Sequence, residues 1–206
     1  MNALLARKIG MSRYFEPTGK AVAVTLLEAG PNVVVQIKKK DTEGYDAVQV
    51  GFGKRSEKAT TKALAGHLKK AKVAPVAKLA EVRVESTEGF ELGQQIKADI
   101  FAVGEKVDIV SVSKGLGFQG TVRLHNFRGG PKTHGQSDRL RAPGSVGASS
   151  YPSRVFKGMH MAGRMGGDRV TAKNVKVCIV DAEKNLIAVQ GSVPGKKNTF
   201  VTIRKR

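Results

Sequence analysis

The 206-residue sequence contains a single cysteine and no long apolar run. Cys178 alone cannot form an internal disulfide bond or complete a thiolate zinc site, so we expect the protein in a reducing compartment, the cytosol. The apolar stretch within residues 1–8 is too short for the core of a signal peptide. A run of about 18 apolar residues, enough for a membrane helix, occurs nowhere. We therefore expect neither secretion nor a membrane span.

Acidic residues are also scarce. The chain has 17 aspartate and glutamate residues against 36 lysine and arginine residues, which gives a net charge of +19. Because like charges repel one another unless a polyanion binds them, this excess excludes an average soluble enzyme as the default interpretation. It favours a protein that binds nucleic acid or an acidic membrane surface.

The middle of the chain differs in composition from both ends. Residues 113–169, called the basic segment below, contain ten basic and two acidic side chains and 12 of the 24 glycines. Leucine, isoleucine, valine and phenylalanine supply nine of its 57 residues, which is below the roughly 20% at which a charged stretch tends to fold alone. We therefore expect an extended Gly/Arg-rich loop that takes its shape from a partner.

The remaining residues, 1–112 and 170–206, have the pattern of a folded, mainly β body. Many short strands with glycine and proline turns between them favour a barrel or sandwich over a doubly wound α/β fold. We expect the strands after the basic segment to complete the same sheet as those before it. Alternation of apolar and polar residues predicts strands at 21–27, 33–37, 47–52, 79–84, 107–112, 175–180, 186–189 and 200–203.

A single helix is predicted over residues 60–72. Leu64, Leu68 and Ala71 recur at helical spacing, and Pro75 ends the pattern. The body therefore carries a small helical insertion near residues 60–75.

The basic segment has the residue types that bind a phosphate backbone. Seven of its ten cations are arginine, whose planar guanidinium pairs with two phosphate oxygens and also stacks on a base. Phe118, Phe127, Tyr151 and Phe156 lie among them, and such rings stack on unpaired bases. The ten candidate contacts are Lys114, Arg123, Arg128, Lys132, Arg139, Arg141, Arg154, Lys157, Arg164 and Arg169.

A glycine turn at residues 115–120 has the spacing of a dinucleotide-binding motif and follows the predicted strand 107–112. Such a motif must open a helix whose N-terminus holds the pyrophosphate, whereas residues 121–127 are predicted to be extended. We therefore interpret the glycines as the turn by which the chain leaves the body, and we expect no cofactor.

The histidines and serines of the basic segment do not suggest a reaction. His125, His134 and His160 lack the fixed short spacing and the carboxylate partners of a metal site, and contacts to phosphate or base fit them better. Ser145, Ser149 and Ser150 lack the strand, turn and helix that expose a nucleophilic serine. We expect no catalytic and no metal-binding residue.

Several motifs, taken in order, resemble one family. The likeness spans nearly the whole chain, and it is to the bacterial large-subunit ribosomal protein L-three family. The motifs are KIGMS (8–12), SKGLGFQG (113–120), HNFR (125–128), THG (133–135), RAPGS (141–145), RVFKG (154–158), MAG (161–163), RVT (169–171), NLI (185–187) and VPG (193–195).

The resemblance implies a fold and a function. The fold would be a translation-protein-type β-barrel with a short helical segment and a long extended basic loop, which threads through rRNA toward the peptidyl transferase centre. The function would be that of a structural constituent of the cytoplasmic large ribosomal subunit that binds 23S rRNA early and helps to initiate assembly. Neighbouring large-subunit proteins would be its other partners, and there would be no membrane, no small-molecule substrate and no enzymatic activity.

The resemblance also implies roles for particular residues. The loop tip nearest the peptidyl transferase centre would lie at 144–153, with two basic arms at 114–141 and 154–169. The tip residues are Gly144, Ser145, Gly147, Ser149, Ser150 and Tyr151. The rRNA-binding residues are Lys114, Arg123, His125, Arg128, Lys132, His134, Arg139, Arg141, Arg154, Lys157, Arg164 and Arg169.

Some positions depart from the family pattern. Leu116, Leu124 and His160 stand where a basic residue is common, and each replacement removes one expected phosphate contact. Ser150 stands where some relatives carry a methylated glutamine, so we do not expect that modification.

Two other hypotheses remain open on sequence grounds. The first is a nucleotide-dependent enzyme that uses the glycine turn at 115–120. The second is an architectural protein that binds DNA or RNA in general.

Overall fold

The computed structural model describes residues 1–206, which divide into two compact units. The larger unit comprises Met1–Val112 and Arg169–Arg206, and the smaller unit comprises Ser113–Asp168. The smaller unit therefore ends one residue earlier than the basic segment does, because Arg169 begins a strand of the larger unit.

The chain forms twelve strands and three short helices. The strands are β1 (Ala3–Phe15), β2 (Ala21–Glu28), β3 (Asn32–Lys38), β4 (Ala47–Lys54), β5 (Val76–Arg83), β6 (Gln95–Ile96), β7 (Lys106–Val112), β8 (Gly117–Gln119), β9 (Gly163–Met165), β10 (Arg169–Asp181), β11 (Leu186–Gln190) and β12 (Phe200–Lys205). The helices are α1 (Lys40–Glu43), α2 (Lys62–Lys70) and α3 (Thr121–Leu124), with 3₁₀ turns at Glu57–Ala59 and Ala98–Ile100. None of these helices is long and apolar enough to span a membrane.

Six strands of the larger unit close into an antiparallel β-barrel. Their order around the barrel is β1, β12, β7, β10, β11 and β2, and each pairs with its two neighbours. Because the sheet closes on itself, the barrel has no terminal edge strand. This architecture confirms the mainly β barrel that the sequence predicts.

The other strands of the larger unit form a second antiparallel sheet in the order β5, β4, β3 and β6. The sequence predicts β3, β4 and β5 correctly as strands, but the expectation of one common sheet is wrong for these three, which lie outside the barrel. Alternation shows that a segment is extended and half-buried, whereas it does not show which strand lies beside it. Here the three strands pair with their neighbours along the chain.

Strand β1 is absent from the predicted strands because its buried residues do not alternate. Ala3, Leu4, Leu5 and Ala6 are all buried. They belong to one core cluster with barrel residues such as Ile109 and with residues of the second sheet, so apolar partners cover both faces of β1. A strand covered on both faces has a continuous apolar run instead of a period of two.

Helix α2 lies within the predicted helix and is two residues shorter at each end. Thr61 caps it, since the Thr61 hydroxyl oxygen accepts a hydrogen bond from the Leu64 amide at 3.4 Å. Leu68 is buried and packs against Val35 and Val76 of the second sheet.

Candidate nucleic-acid interface

Ser113 and Asp168 join the two ends of the smaller unit. The Ser113 amide donates to the Asp168 carbonyl oxygen at 2.8 Å, and the Asp168 amide donates to the Ser113 hydroxyl at 3.2 Å. Beside this pair, β8 and β9 form a two-stranded antiparallel sheet. Gly166 is required here because its φ is +73° and a Cβ would lie 2.0 Å from the Lys114 carbonyl oxygen. Backbone hydrogen bonds therefore close the smaller unit at its base.

The glycine turn at 115–120 ends in helix α3, which is a single turn. The Gly120 carbonyl accepts from the amides of Arg123 and Leu124 at 3.1 and 3.0 Å. The prediction that 121–127 is extended is therefore wrong for 121–124, since four residues are too few to separate a strand period from a helical one. A helix of four residues does not provide the long helix that a dinucleotide site needs behind its glycine turn.

Two of the three histidines of the basic segment come together, and they do so as a stack. The rings of His125 and His160 have centroids 4.3 Å apart and planes 9° apart, and the Phe127 ring lies 5.8 Å from His125. His125 Nε2 lies 3.0 Å from the Met161 carbonyl oxygen, so this nitrogen carries the proton and donates. His134 is exposed and lies outside this cluster. No group of three His, Cys, Asp or Glu side chains is placed to hold a metal ion.

The loop between Gly129 and Arg141 is shaped by its own backbone. The Gly130 amide donates to the Leu140 carbonyl oxygen at 2.9 Å. With its amide assigned so that the oxygen faces these donors, the Gln136 side-chain carbonyl accepts from the amides of Arg139 and Leu140 at 2.8 and 3.0 Å. Gly129 has a φ of +75°, and a Cβ there would lie 2.3 Å from the Leu140 carbonyl oxygen. These contacts hold the Arg139 backbone while its side chain stays exposed.

All ten predicted phosphate-binding cations are exposed, and none of them forms an ion pair. The three ion pairs of the protein, Arg7–Glu28, Lys38–Glu81 and Lys205–Glu105, all lie in the larger unit. Eleven of the twelve predicted rRNA-binding residues lie in the smaller unit, and Arg169 instead opposes Val112 in the barrel. The smaller unit therefore presents unneutralised positive charge on its own surface.

Aromatic side chains are exposed among these cations. Phe118 is 77% exposed and Tyr151 is 89% exposed, which is unusual for large apolar rings in a protein that folds alone. The guanidinium of Arg154 lies over the Phe156 ring at 5.4 Å from its centroid. Thr121 is the only buried side chain of the smaller unit. The smaller unit thus exposes both rings and cations and has almost no core.

The predicted loop tip at 144–153 contains no helix or strand. The Ser145 hydroxyl donates to the Gly147 carbonyl oxygen at 2.9 Å, and the Ser153 hydroxyl donates to the Ser150 carbonyl oxygen. The six predicted tip residues are all exposed. The tip therefore presents small neutral groups and one large ring, Tyr151.

A second basic surface, between Lys54 and Lys78 of the larger unit, was not predicted. These 25 residues contain eight lysine or arginine side chains and one acidic residue, Glu57. All eight cations are exposed, and none forms an ion pair. Charge counted over the whole of 1–112 hides this stretch, whereas a window of about 25 residues would have revealed it.

Comparison with known proteins identifies the family of this chain. The family model for Ribosomal protein L3 matches residues 57–185, which include the whole smaller unit. The chain belongs to the ribosomal protein L3 family. This confirms the resemblance seen in the sequence, and it makes this L3-family protein a structural ribosomal protein and not an enzyme.

Individual L3-family relatives match along almost their entire length. The large ribosomal subunit protein uL3 of Chlorobaculum parvum is 53% identical over 204 residues, which cover 98% of each chain. The protein of the same name from Chlorobium limicola is 50% identical over 204 residues, again 98% of each chain. That of Herpetosiphon aurantiacus is 50% identical over 205 residues, 100% of this chain and 96% of the relative.

Proposed function

We propose that this chain binds 23S rRNA through the basic segment, helps to initiate assembly of the large subunit, and supports the peptidyl transferase centre with the loop tip. As an L3-family member it is a structural protein of the large subunit of the cytoplasmic ribosome. Neighbouring large-subunit proteins are its other partners.

One observation carries the proposal: the ten cations of the basic segment are exposed and without carboxylate partners. A carboxylate-free array of arginines suits a polyphosphate, because each guanidinium pairs with two phosphate oxygens and the bound counterions are released. Ordering a segment costs about 1–2 kcal/mol per residue in backbone entropy, and contacts of this kind offset that cost. A segment with one buried side chain offers little apolar burial to do the same.

The tip has a composition suited to a close approach to RNA. Gly144, Ser145, Gly147, Ser149 and Ser150 are small and uncharged, so a phosphate or base can lie against the backbone. Tyr151 is the one exposed ring there and is available for stacking. The tip positions RNA in this proposal, and peptide-bond formation remains the chemistry of the RNA.

Ultraviolet crosslinking of purified large subunits, followed by mapping of the attached nucleotides, tests the proposal. We expect adducts between 23S rRNA and residues of both basic arms and of the tip, and RNase treatment should release the protein from sedimenting subunits. Sedimentation that RNase does not change would contradict the proposal. Equal affinity of the purified protein for 23S rRNA, unrelated RNA and duplex DNA would instead favour the general architectural function.

A further inference from the structure

A cavity of about 540 Å³ lies in the larger unit, between the second sheet and the barrel. It is outside the basic segment, and its volume is within the range of small-molecule and nucleotide sites. Its apolar walls include Val33, Phe52, Val73 and Phe200. Lys54 and Lys72 also line it, and both are exposed.

Close packing forms the walls of this cavity. A Cβ at Gly51 would lie 2.9 Å from Val76, so this part of β4 tolerates no side chain. Phe52 is buried, and its ring meets the Phe200 ring edge-on with centroids 6.1 Å apart. The cavity is therefore a preformed slot, and a ligand need not pay to open it.

The charge around the slot is positive. Lys54 and Lys72 form no ion pair, and they belong to the eight exposed cations between Lys54 and Lys78. Glu28 is the carboxylate among the lining residues, and its Oε2 forms an ion pair with Arg7 Nη2 at 2.6 Å. This pair therefore adds no net charge. The slot thus combines apolar walls with a cationic edge.

We infer that this slot seats one unpaired nucleotide of RNA, with the base between the apolar walls and the adjoining phosphates at Lys54 and Lys72. The inference rests on the proposed function, since it names a second place where the same RNA is bound. A nucleotide carries an aromatic face and an anion side by side, as the slot requires. An acidic peptide would have to supply both features from separate side chains, so we favour the nucleotide.

Two changes to the full-length protein test the slot. Lys54→Ala with Lys72→Ala removes the two rim cations, and Ala74→Trp fills the slot from an exposed lining residue without changing the charge. The matched control is Lys39→Ala with Lys40→Ala, which removes the same charge from exposed positions that do not line the slot. Thermal unfolding followed by circular dichroism verifies that each variant is folded. If Ala74→Trp does not fold, the lysine pair and the crosslinks decide the question.

Binding to 23S rRNA as a function of salt is the first measurement. Each phosphate contact on a single strand contributes about 0.7 to the slope of log affinity against log salt, so the Lys54 and Lys72 pair should lower the slope by about 1.4. Ala74→Trp should weaken binding but lower the slope less than the Lys54 and Lys72 pair does, because it removes no charge. The control pair should leave the slope unchanged. Equal effects of the slot pair and the control pair would overturn the inference.

Nucleotide crosslinks in intact large subunits are the second measurement. We expect a nucleotide adduct on residues 51–54 or 72–78, and we expect Ala74→Trp to abolish it. Adducts on the basic segment alone, or a crosslink from the slot to another protein, would overturn this inference and leave the proposed function standing. Adducts at neither place would overturn both.

Discussion

Asn32 binds the Leu5 backbone through both ends of its side-chain amide. Its Nδ2 donates to the Leu5 carbonyl oxygen at 2.9 Å, and its Oδ1 accepts from the Leu5 amide at 3.1 Å. Leu5 pairs with Thr202 on β12 but lies beyond the pairing of β1 with β2, which begins at Arg7. The buried Asn32 side chain therefore takes the place of a strand at this edge of β1 and connects the barrel to the second sheet.

Replacing Asn32 should destabilise the larger unit. Asn32→Ala leaves the Leu5 amide and carbonyl buried without partners, and one such group costs about 1–3 kcal/mol. We expect a loss of about 2 to 4 kcal/mol in the free energy of unfolding, measured by denaturant titration. Asn2→Ala, at an exposed asparagine whose backbone alone makes a hydrogen bond, is the control. A loss no larger than that of the control would show that Asn32 does not hold the two sheets.

This contact also shows where sequence reasoning stops. Period-two alternation locates eight of the twelve strands, and their number and spacing favour a barrel or a sandwich. The choice of a barrel comes from the family resemblance. Alternation misses β1, whose buried residues are apolar on both faces, and it begins β3 at Val33, so the polar Asn32 is left outside that strand. A buried asparagine that pairs with a strand 27 residues away has no local signature.

The candidate site also has features that the sequence predicts and features that only the folded chain shows. Charge and glycine content predict the basic segment from composition, because those properties belong to the residues themselves. The stack of His125 on His160 and the closure by Ser113 and Asp168 join residues 35 and 55 positions apart, so only the folded chain shows them. The family motifs predict roles for the tip residues, whereas nothing in their local spacing does.

Gly166→Ala should disturb the base of the smaller unit without unfolding the barrel. A Cβ at residue 166 would lie 2.0 Å from the Lys114 carbonyl oxygen, so the backbone beside the β8–β9 sheet must shift. The alanine must also adopt the positive φ that Gly166 has. We expect faster hydrogen exchange at the amides of Leu116 and Asp168, which donate across this base.

Gly135→Ala is the matched control for this change. Its φ of +78° carries the same backbone strain, of order 1–2 kcal/mol, but a Cβ there meets no atom within 4 Å. Exchange at Leu116 and Asp168 should be unchanged in this variant. Equal acceleration in both variants would mean that backbone strain, and not the contact with Lys114, governs the base.

The Lys38, Tyr45 and Glu81 cluster of the second sheet predicts a pH dependence. The hydrogen bond from Lys38 and then that from Tyr45 lower the pKa of Glu81 below its ordinary value of 4.5. A carboxyl whose pKa is lower in the folded state stabilises the fold above its ordinary pKa, and this contribution is lost as the pH falls through the folded pKa. Glu81→Gln should therefore reduce the loss of stability below about pH 4.5.

Unfolding in denaturant between pH 2 and 7 measures this effect. Glu88→Gln is the control, since Glu88 is exposed and forms no ion pair. Identical profiles for the wild-type protein and Glu81→Gln would show that the cluster makes no pH-dependent contribution to stability.

Deletion of residues 132–153 should leave the barrel folded. The main core cluster contains no residue of the smaller unit, so the deletion removes none of the apolar packing that stabilises the barrel. We expect an unchanged thermal midpoint by circular dichroism together with impaired maturation or activity of the large subunit. Collapse of the barrel would place the deleted residues in the folding core, and normal maturation would contradict the proposed role of the tip.

The salt dependence of RNA binding distinguishes phosphate contacts from other roles of Arg139 and Arg141. Both side chains are exposed and unpaired. The backbone beside them is held because the amides of Arg139 and Leu140 donate to the Gln136 side chain and the Leu140 carbonyl oxygen accepts from the Gly130 amide. If each arginine neutralises one phosphate, Arg139→Ala with Arg141→Ala lowers the slope of log affinity against log salt by about 1.4 to 1.8. Lysine at both positions should restore the slope but lose part of the affinity, because lysine lacks the two-pronged pairing of arginine. A slope that the alanine pair leaves unchanged would show that these arginines do not contact phosphate.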